Sequence, residues 1–146
     1  MEAKKHATMF AEQCVAGRIR LLNRAVTGVY DHALQSLGIT INQATILVTI
    51  FLNRNIAAAG IGRKLLMEKS TVSRNLARLE ANGWINTKKS LNSQQQTVSV
   101  TSKGRALLAI AHREWAMAQK ETRQLLGDDG VEAIMEMYNR IQQRRN

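Results

Sequence analysis

The pattern of apolar and polar residues predicts a chain that is helical at both ends. Near the N-terminus, apolar residues at helical spacing cover about residues 9–37, and Gly38 supplies a stop signal. Near the C-terminus, one long helix is expected over residues 106–126, and another begins at Val131 after a turn at residues 127–130. The sequence contains no proline, so nothing in it breaks long helices.

The middle of the chain predicts two shorter helices. Thr40 followed by Gln43 fits a capping box, in which each side chain hydrogen-bonds the backbone N–H of the other residue. A helix is therefore expected from this point through Leu52. A further helix is expected around residues 58–66, although its two glycines weaken it intrinsically, so that tertiary packing must hold it.

The next predicted helix, at about residues 68–82, has two chemically different sides. Val72, Leu76 and Leu79 fall on one side and are expected to pack inward, and Gly83 is expected to end the helix in the left-handed conformation. The opposite side carries hydroxyl, amide and guanidinium groups, on Ser70, Thr71, Arg74, Asn75 and Arg78. Such groups match the phosphates and base edges of a DNA major groove.

After this helix the pattern changes to that of a β-hairpin. Residues 84–88 and 96–100 are expected to form two strands, joined by a polar stretch rich in turn-forming residues. Thr101 then fits the N-cap of the following helix. The order is that of a winged helix-turn-helix, so the predicted fold class is mainly α with a small β-hairpin wing.

Three pieces of this sequence resemble the MarR (multiple antibiotic resistance regulator) family of bacterial transcription regulators. They are residues 69–74, 79–85 and 100–104, in this order and at this spacing. The resemblance in helix order extends over nearly the whole chain. It implies a single MarR-like domain over residues 1–146, with a winged helix-turn-helix DNA-binding part at about residues 40–104.

The resemblance also implies how the chain assembles. The helices at about residues 5–37 and 105–146 would be dimerisation helices that intertwine with those of a second subunit, whereas the alternative is packing within one chain. A two-fold homodimer can grip two half-sites one DNA turn apart, so the expected target is a pseudo-palindrome in double-stranded DNA. The family further implies a small-molecule effector, bound between the dimer helices and the DNA-binding part.

Positive charge is concentrated on the predicted DNA-binding part. The chain has 21 Lys and Arg against 11 Asp and Glu, which gives a net charge of +10 and a pI near 10.5. Residues 63–105 hold nine of the positive side chains and two of the negative ones. A polyanionic partner requires such a concentration, whereas a generally basic surface would spread the excess evenly.

The predicted DNA contacts follow from side-chain chemistry. Arg74 and Arg78 are expected near base edges or phosphates, and Thr71 and Asn75 are candidate base readers. The hydroxyls of Ser70 and Ser73 are expected to contact phosphates. Lys88 and Lys89 add two positive charges at the base of the wing and are further candidate contacts. Any one of these residues could instead be an ordinary solvated surface residue.

The wing departs from the pattern of the family. MarR-like wings usually carry an Asp followed by Arg residues near the tip, and the Arg enters the minor groove. Here the tip is uncharged, with Asn92, Ser93 and Gln94 as candidate wing contacts. Neutral amides can still hydrogen-bond in the minor groove, but without a guanidinium a weaker electrostatic grip is expected.

Cys14, the one cysteine of the sequence, has two interpretations. One MarR branch senses organic peroxides through a Cys near the start of its first long helix, and oxidation of Cys14 could shift the dimer and release DNA. The alternative is a small hydrophobic residue packed in the apolar stripe. The neighbouring residues lack the aromatic setting that this branch usually shows.

Other chemistry is not indicated by the sequence. The three histidines are scattered and no metal-binding motif is present, so no metal site, cofactor or enzymatic activity is predicted. The longest apolar run, residues 44–52, is too short to span a bilayer, and the N-terminus lacks an apolar signal region. A cytoplasmic, nucleoid-associated protein without a membrane partner is expected.

The sequence as a whole predicts a homodimeric, sequence-specific transcription regulator, a repressor that an effector releases from its operator. The first alternative keeps the fold and replaces the effector by oxidation of Cys14. The second is an architectural protein that binds DNA with little preference between sequences and with steep salt dependence. The third is a purely structural helical oligomer without DNA affinity.

Overall fold

Helices make up most of the chain, and its strands form one small sheet. A computed structural model gives this fold and describes residues 1–89 and 96–144. In chain order the elements are α1 (Glu2–Gln13), α2 (Val15–Leu34), a short 3-10 helix (Gln35–Leu37), α3 (Ile41–Leu52), β1 (Ile56–Ala57), α4 (Ala58–Leu65), α5 (Lys69–Ala81), β2 (Ile85–Lys89), β3 (Gln96–Val100), α6 (Ser102–Leu126) and α7 (Asp128–Gln143). The predicted mainly α fold with a small β wing is confirmed. Among the described residues, no single helix is long and apolar enough to cross a membrane. By length and composition alone, α2 and α3 would reach this limit only if they were counted together.

The chain divides into two compact units. The central unit is Ala33–Met117, and the terminal unit combines Met1–His32 with Ala118–Asn146. All elements from α3 to β3 lie in the central unit, whereas α1 and α7 lie in the terminal unit.

The central unit has a closed hydrophobic core. Its buried members come from helices and strands alike: Leu34, Ile39, Ile46, Leu47, Ile50, Ile61, Val72, Leu79, Trp84, Ile85, Val98 and Ala111. Burial of apolar surface is the dominant favourable contribution to folding, so this core holds the elements of the unit together.

The capping box predicted at the start of α3 is present. The Gln43 N–H donates to the Thr40 hydroxyl oxygen at 3.3 Å, and the Thr40 N–H donates to the Gln43 side-chain oxygen at 3.1 Å. Two N–H groups that the helix itself leaves without partners are thereby satisfied.

α4, a tight turn and α5 form the helix-turn-helix. In the turn, Leu66 has φ of +55°, a left-handed conformation that is uncommon for a residue other than glycine. A Cβ at Gly62 would lie only 3.0 Å from the carbonyl oxygen of Met67. Gly62 therefore weakens α4 intrinsically but permits the close packing of the turn.

The end of α5 follows the sequence prediction. Gly83 has φ of +74°. Its N–H donates to the carbonyl oxygen of Glu80 at 2.8 Å, and the N–H of Trp84 donates to that of Leu79 at 3.0 Å. These two hydrogen bonds form a Schellman motif, which satisfies carbonyls at the end of the helix. They also fix the first residues of the wing to α5.

The wing belongs to a three-stranded antiparallel sheet of order β1–β3–β2, not to a two-stranded hairpin. β2 and β3 pair from Ile85 with Val100 to Lys89 with Gln96, close to the predicted strands. β1 was not predicted, because a strand of two residues is too short to show an alternating pattern. It forms by pairing with β3, far along the chain.

The prediction of an unbroken N-terminal helix is wrong. The helix begins already at Glu2 and is interrupted at Cys14, where ψ of 107° is extended. The Arg18 guanidinium donates to the carbonyl oxygen of Glu12 at 2.9 Å. This contact satisfies one of the last carbonyls of α1, which helix ends leave without partners, and it stabilises the break.

The predicted start of the last helix is also wrong. α7 begins at Asp128 rather than at Val131, so Gly130 is helical. Gly127 alone makes the turn, with φ of +73°. The Asp128 carboxylate pairs with the Arg123 guanidinium at 2.7 Å across this turn. An acidic residue is also favourable at the N-terminus of a helix, which explains the earlier start.

The terminal unit buries few side chains. Among its described residues, Ala118 and Thr122 are buried, and the Tyr30 hydroxyl hydrogen-bonds the side-chain oxygen of Gln119. Many of its large apolar side chains are exposed. We call them the terminal apolar face: Met9, Phe10, Val15, Ile19, Leu21, Leu22, Leu125, Ile134, Met135, Met137, Tyr138 and Ile141.

Candidate nucleic-acid interface

The polar side of α5 faces solvent in the central unit. Val72 and Leu79 point into the core, which leaves the other side of the helix outside. Of the six predicted contacts on α5, four are exposed and two half-buried. The exposed ones are Ser70, Ser73, Arg74 and Arg78, and the half-buried ones are Thr71 and Asn75. The helix therefore presents its hydroxyls and guanidinium groups together on one surface.

Hydrogen bonds within α5 orient three of these side chains. The Asn75 amide nitrogen donates to the carbonyl oxygen of Thr71 at 2.8 Å. Nη2 of Arg74 lies 3.5 Å from the Thr71 hydroxyl oxygen, at the outer limit of a hydrogen bond. The side chains of Asn75 and Arg74 thus both extend toward Thr71. Because one amide hydrogen of Asn75 is engaged, its side-chain oxygen is its less restricted group for contacting a base.

The arginines of α5 carry uncompensated charge. Within residues 1–89 and 96–144, neither Arg74 nor Arg78 forms an ion pair. The Arg140–Glu136 pair of the terminal unit, at 2.7 Å, shows the contrasting case, in which a neighbouring carboxylate neutralises the guanidinium. Unpaired guanidinium groups on an exposed helix favour an anionic partner, and their planar fork matches phosphate or guanine.

The base of the wing lies beside this helix. Lys88 and Lys89 are exposed on β2. The Glu80 carboxylate of α5 accepts a hydrogen bond from the N–H of Thr87 at 3.2 Å. This contact joins the last turn of α5 to β2. The predicted wing contacts Asn92, Ser93 and Gln94 lie outside the described residues.

A groove of about 930 Å³ separates α4 and α5 from the wing. Its apolar lining includes Leu66 and Val72. Its charged and polar lining brings together residues that are distant in the sequence: Arg63, Glu68, Lys69, Ser73, Glu80, Thr87, Lys89 and Gln96. Two predicted DNA contacts, Ser73 and Lys89, therefore share one depression although they belong to different elements.

For three polar residues of this region, the sequence did not indicate the role that the structure shows. Lys69 at the start of α5 adds a positive charge to the groove. Glu80 holds β2, as described above, and the Thr101 hydroxyl donates to the carbonyl oxygen of Gly83 at 2.7 Å. The charge of Lys69 was visible in the sequence, whereas the contacts of Glu80 and Thr101 depend on the packing of the wing.

Cys14 lies in the terminal unit, apart from the DNA-contact candidates in sequence and element. It is a free, half-buried thiol at the break between α1 and α2. With His6, Met9, Phe10 and Gln13 it lines an open hollow of about 370 Å³. Among the described residues, no group of three or more His, Cys, Asp or Glu side chains is arranged to hold a metal ion. The redox role of Cys14 stays a prediction.

Comparison with known proteins bears on this geometry. Residues 39–97 match the model of the MarR family. A MarR mutant from E. coli complexed with operator DNA has 23% identity and a TM-score of 0.79, over 91% of this chain and 97% of that chain. For the M. tuberculosis transcriptional regulator MosR, the values are 24% identity and a TM-score of 0.78, over 92% and 98%.

A third similar structure is the transcriptional repressor CouR bound to a 23-mer DNA duplex. Its identity is 22% and its TM-score 0.78, over 90% of this chain and 94% of that chain. At these identities the structural likeness establishes the fold alone. Among curated protein sequences, none matches this chain significantly.

Fold and surface together define the class of protein. A helix-turn-helix whose second helix is exposed and polar, followed by a wing, characterises a winged helix-turn-helix, DNA-binding transcription regulator. Within that class, residues 39–97 match the model of the MarR family, in agreement with the sequence resemblance.

Proposed function

We propose that this chain is a sequence-specific repressor that binds a pseudo-palindromic operator in double-stranded DNA as a homodimer. The observation that carries this proposal is the exposed side of α5, where Arg74 and Arg78 form no ion pair with any other described residue and share a surface with Thr71 and the exposed hydroxyls. An α-helix fits the major groove, and these groups match its phosphates and base edges. Two structurally similar proteins, one complexed with operator DNA and one bound to a 23-mer DNA duplex, support binding to double-stranded DNA.

The homodimer is supported by the terminal apolar face. The terminal unit has almost no core of its own, yet its helices expose Phe10, Ile19, Met135, Tyr138 and other large apolar side chains. So many exposed large apolar side chains in one unit favour a protein partner. A second copy of the chain presents the same helices, and a two-fold pair would place two α5 helices for two half-sites.

The remaining parts of the proposal concern regulation and place. A small-molecule effector that binds one arrangement of the dimer better than another would change the spacing of the two α5 helices and release the operator. The chain would act as a single MarR-like domain in the cytoplasm, associated with the nucleoid and without a cofactor. That it has no enzymatic activity stays a prediction.

DNA binding is tested by fluorescence anisotropy with purified protein. Duplexes that tile the DNA upstream of its own gene are compared with a shuffled duplex at about 150 mM salt, a concentration at which non-specific binding is weak. We expect one palindromic segment to bind at least about 10³-fold more tightly than the shuffled duplex. Equal affinity for all duplexes would instead indicate an architectural protein, and no binding there or in a wider operator search would leave only a structural oligomer.

The role of α5 is tested by Arg74→Ala and Arg78→Ala. Each should weaken operator binding by about tenfold or more, because one base contact contributes on the order of 1–3 kcal/mol. Arg144→Ala removes the same charge at the end of α7 and serves as the matched control. If all three variants lose affinity equally, net charge rather than α5 determines binding.

Assembly is tested by sedimentation velocity. The double variant Met135→Glu with Tyr138→Glu places two charges on the terminal apolar face, where both side chains are exposed in the single chain. We expect the wild-type protein to sediment as a dimer and the variant as a monomer, because burying unpaired charges in an interface is costly. A monomeric wild-type protein at micromolar concentration would contradict the homodimer.

Oxidation of Cys14 is a second candidate mechanism for release of the operator DNA. Cys14 lies on the break between α1 and α2, within the unit that bears the terminal apolar face, so its oxidation could disturb the dimer. Peroxide would then abolish operator binding by the wild-type protein but not by Cys14→Ser. If both proteins respond alike, Cys14 is not the sensor.

A further inference from the structure

Two hydrogen bonds join Thr101, the N-cap of α6, to the residues that end α5, and a third caps α6 itself. The Thr101 hydroxyl donates to the carbonyl oxygen of Gly83 at 2.7 Å and accepts from the N–H of Gly104 at 3.0 Å. The N–H of Thr101 donates to the carbonyl oxygen of Trp84 at 3.0 Å. An ordinary N-cap only accepts a hydrogen bond from its own helix. The donation from Thr101 to Gly83 is an additional bond that capping does not require.

The residues held by Thr101 are themselves fixed to α5. Gly83 and Trp84 form the Schellman motif, in which their N–H groups bind the carbonyls of Glu80 and Leu79. Only Asn82 therefore separates Gly83 from Ala81, the last residue of the helix that carries Arg74 and Arg78. A displacement of Thr101 would move the end of α5 unless these bonds break.

Close packing adds to the hydrogen bonds. A Cβ built on Gly104 would lie 2.2 Å from the carbonyl oxygen of Trp84 and 2.7 Å from a methyl carbon of Val100. The first turn of α6 therefore rests directly against the backbone at the start of the wing. Contact between two backbones cannot be relieved by a change of rotamer, so α6 cannot shift at this point without moving the wing.

We propose that Thr101 is a positioning residue for DNA reading, which makes the recognition helix α5 follow the movements of α6. The proposal rests on the function proposed above. α6 is one continuous helix from Ser102 to Leu126, and it carries exposed Ile110, Trp115, Met117 and Leu125. Any partner that sets the position of α6 thereby sets the orientation of α5 through the Thr101 hydroxyl.

Two substitutions distinguish the effect of the hydrogen bond from Thr101 to Gly83 from that of simple helix capping. Thr101→Asp keeps a side-chain oxygen for the Gly104 N–H, since Asp is a good N-cap, but its carboxylate cannot donate to Gly83. Thr101→Ser keeps both bonds. Ser102→Asp adds the same charge one residue later and is the matched control, because the Ser102 hydroxyl contacts Arg105 rather than Gly83. If Thr101→Asp does not fold, the nearly isosteric Thr101→Val replaces it, with Thr49→Val in α3 as its control.

The readout is the ratio of operator affinity to shuffled-duplex affinity, measured on full-length protein whose folded fraction is checked by circular dichroism. We expect Thr101→Asp to reduce this ratio on the order of tenfold, comparable to the loss of one base contact. Thr101→Ser and Ser102→Asp should keep the wild-type ratio. A merely structural role would lower binding to both duplexes through the folded fraction and leave the ratio unchanged.

The proposal is overturned if the wild-type protein prefers the operator but Thr101→Asp has the same affinity ratio as its control variant. The same criterion applies to Thr101→Val where that variant is used. Failure of the proposed function looks different, because the wild-type protein would then show no preference for any duplex. In that case Thr101 positions nothing for DNA reading, and the proposal falls together with the function on which it rests.

Discussion

The two units of this chain solve the problem of burying apolar surface in different ways. The central unit places side chains such as Leu79 and Ile46 in a core from which solvent is excluded. The terminal unit leaves equally large residues exposed, Phe10 and Tyr138 among them, and buries little besides Ala118 and Thr122 among its described residues. The first has a core of its own, although Ile110, Trp115 and Met117 of α6 lie exposed in it, whereas the second leaves most of its large apolar side chains in solvent.

This difference teaches which properties of the protein depend on assembly. Stability of the winged helix-turn-helix is set by contacts within one chain, so it should not depend on protein concentration. If the chain forms the proposed homodimer, stability of the terminal helices should depend on protein concentration, because binding of a second copy would shift the folding equilibrium by mass action.

The largest expected effect tests this comparison directly. Leu79→Ala removes a fully buried side chain of the central core and should reduce the free energy of unfolding by about 2–5 kcal/mol, measured by urea denaturation. The loss should be the same at every protein concentration. Ile134→Ala, on the terminal apolar face, should reduce the free energy of unfolding little in dilute solution and more at concentrations where the proposed dimer forms. Equal, concentration-independent losses at both sites would contradict the division of roles.

A second test compares two glycines, one in each unit. Gly104→Ala forces a Cβ against the Trp84 carbonyl, so we expect a loss of about 3 kcal/mol in the free energy of unfolding. At Gly28 no atom lies within 4 Å of the added Cβ. Gly28→Ala should therefore stabilise α2 by about 0.5–1 kcal/mol, because alanine loses less backbone entropy in a helix. A destabilised Gly28→Ala would indicate that another chain packs closely there.

The smallest expected effect concerns the turn of the helix-turn-helix. Leu66 holds a left-handed conformation while 69% exposed, so little burial offsets its backbone strain. Leu66→Gly should raise the free energy of unfolding by about 1 kcal/mol. Asn55 also has a left-handed conformation, but asparagine tolerates it, so Asn55→Gly should raise the free energy of unfolding by less than Leu66→Gly does. A loss on Leu66→Gly would show that its side chain contributes packing that outweighs the strain.

Features that depend on neighbours in sequence could be predicted. The capping box of Thr40 and Gln43 and the left-handed Gly83 each involve groups within a few residues, so residue type and spacing specify them. The buried side of α5 could be predicted equally well, because helical periodicity alone places Val72 and Leu79 together. The predicted DNA contacts on α5 are brought to one surface for the same reason.

Features that depend on distant segments could not be predicted. β1 exists because Ile56 pairs with Val98, and neither residue signals the other locally. The break at Cys14 contains no glycine or proline, and the Arg18 contact that accompanies it is a side-chain interaction. Likewise, the hydroxyl of Thr101 was assigned to capping alone, since its bond to Gly83 requires the complete wing between them.

The outward-turned hydrophobic surface of the terminal unit has a consequence for control in the cell. If only the dimer grips the operator, occupancy at low abundance rises with roughly the square of the monomer concentration. A modest fall in synthesis would then open the promoter more than proportionally, and the same fall would reduce the dose of effector needed for induction. The sharpness of the genetic response would then depend on the terminal helices, which carry none of the predicted DNA contacts.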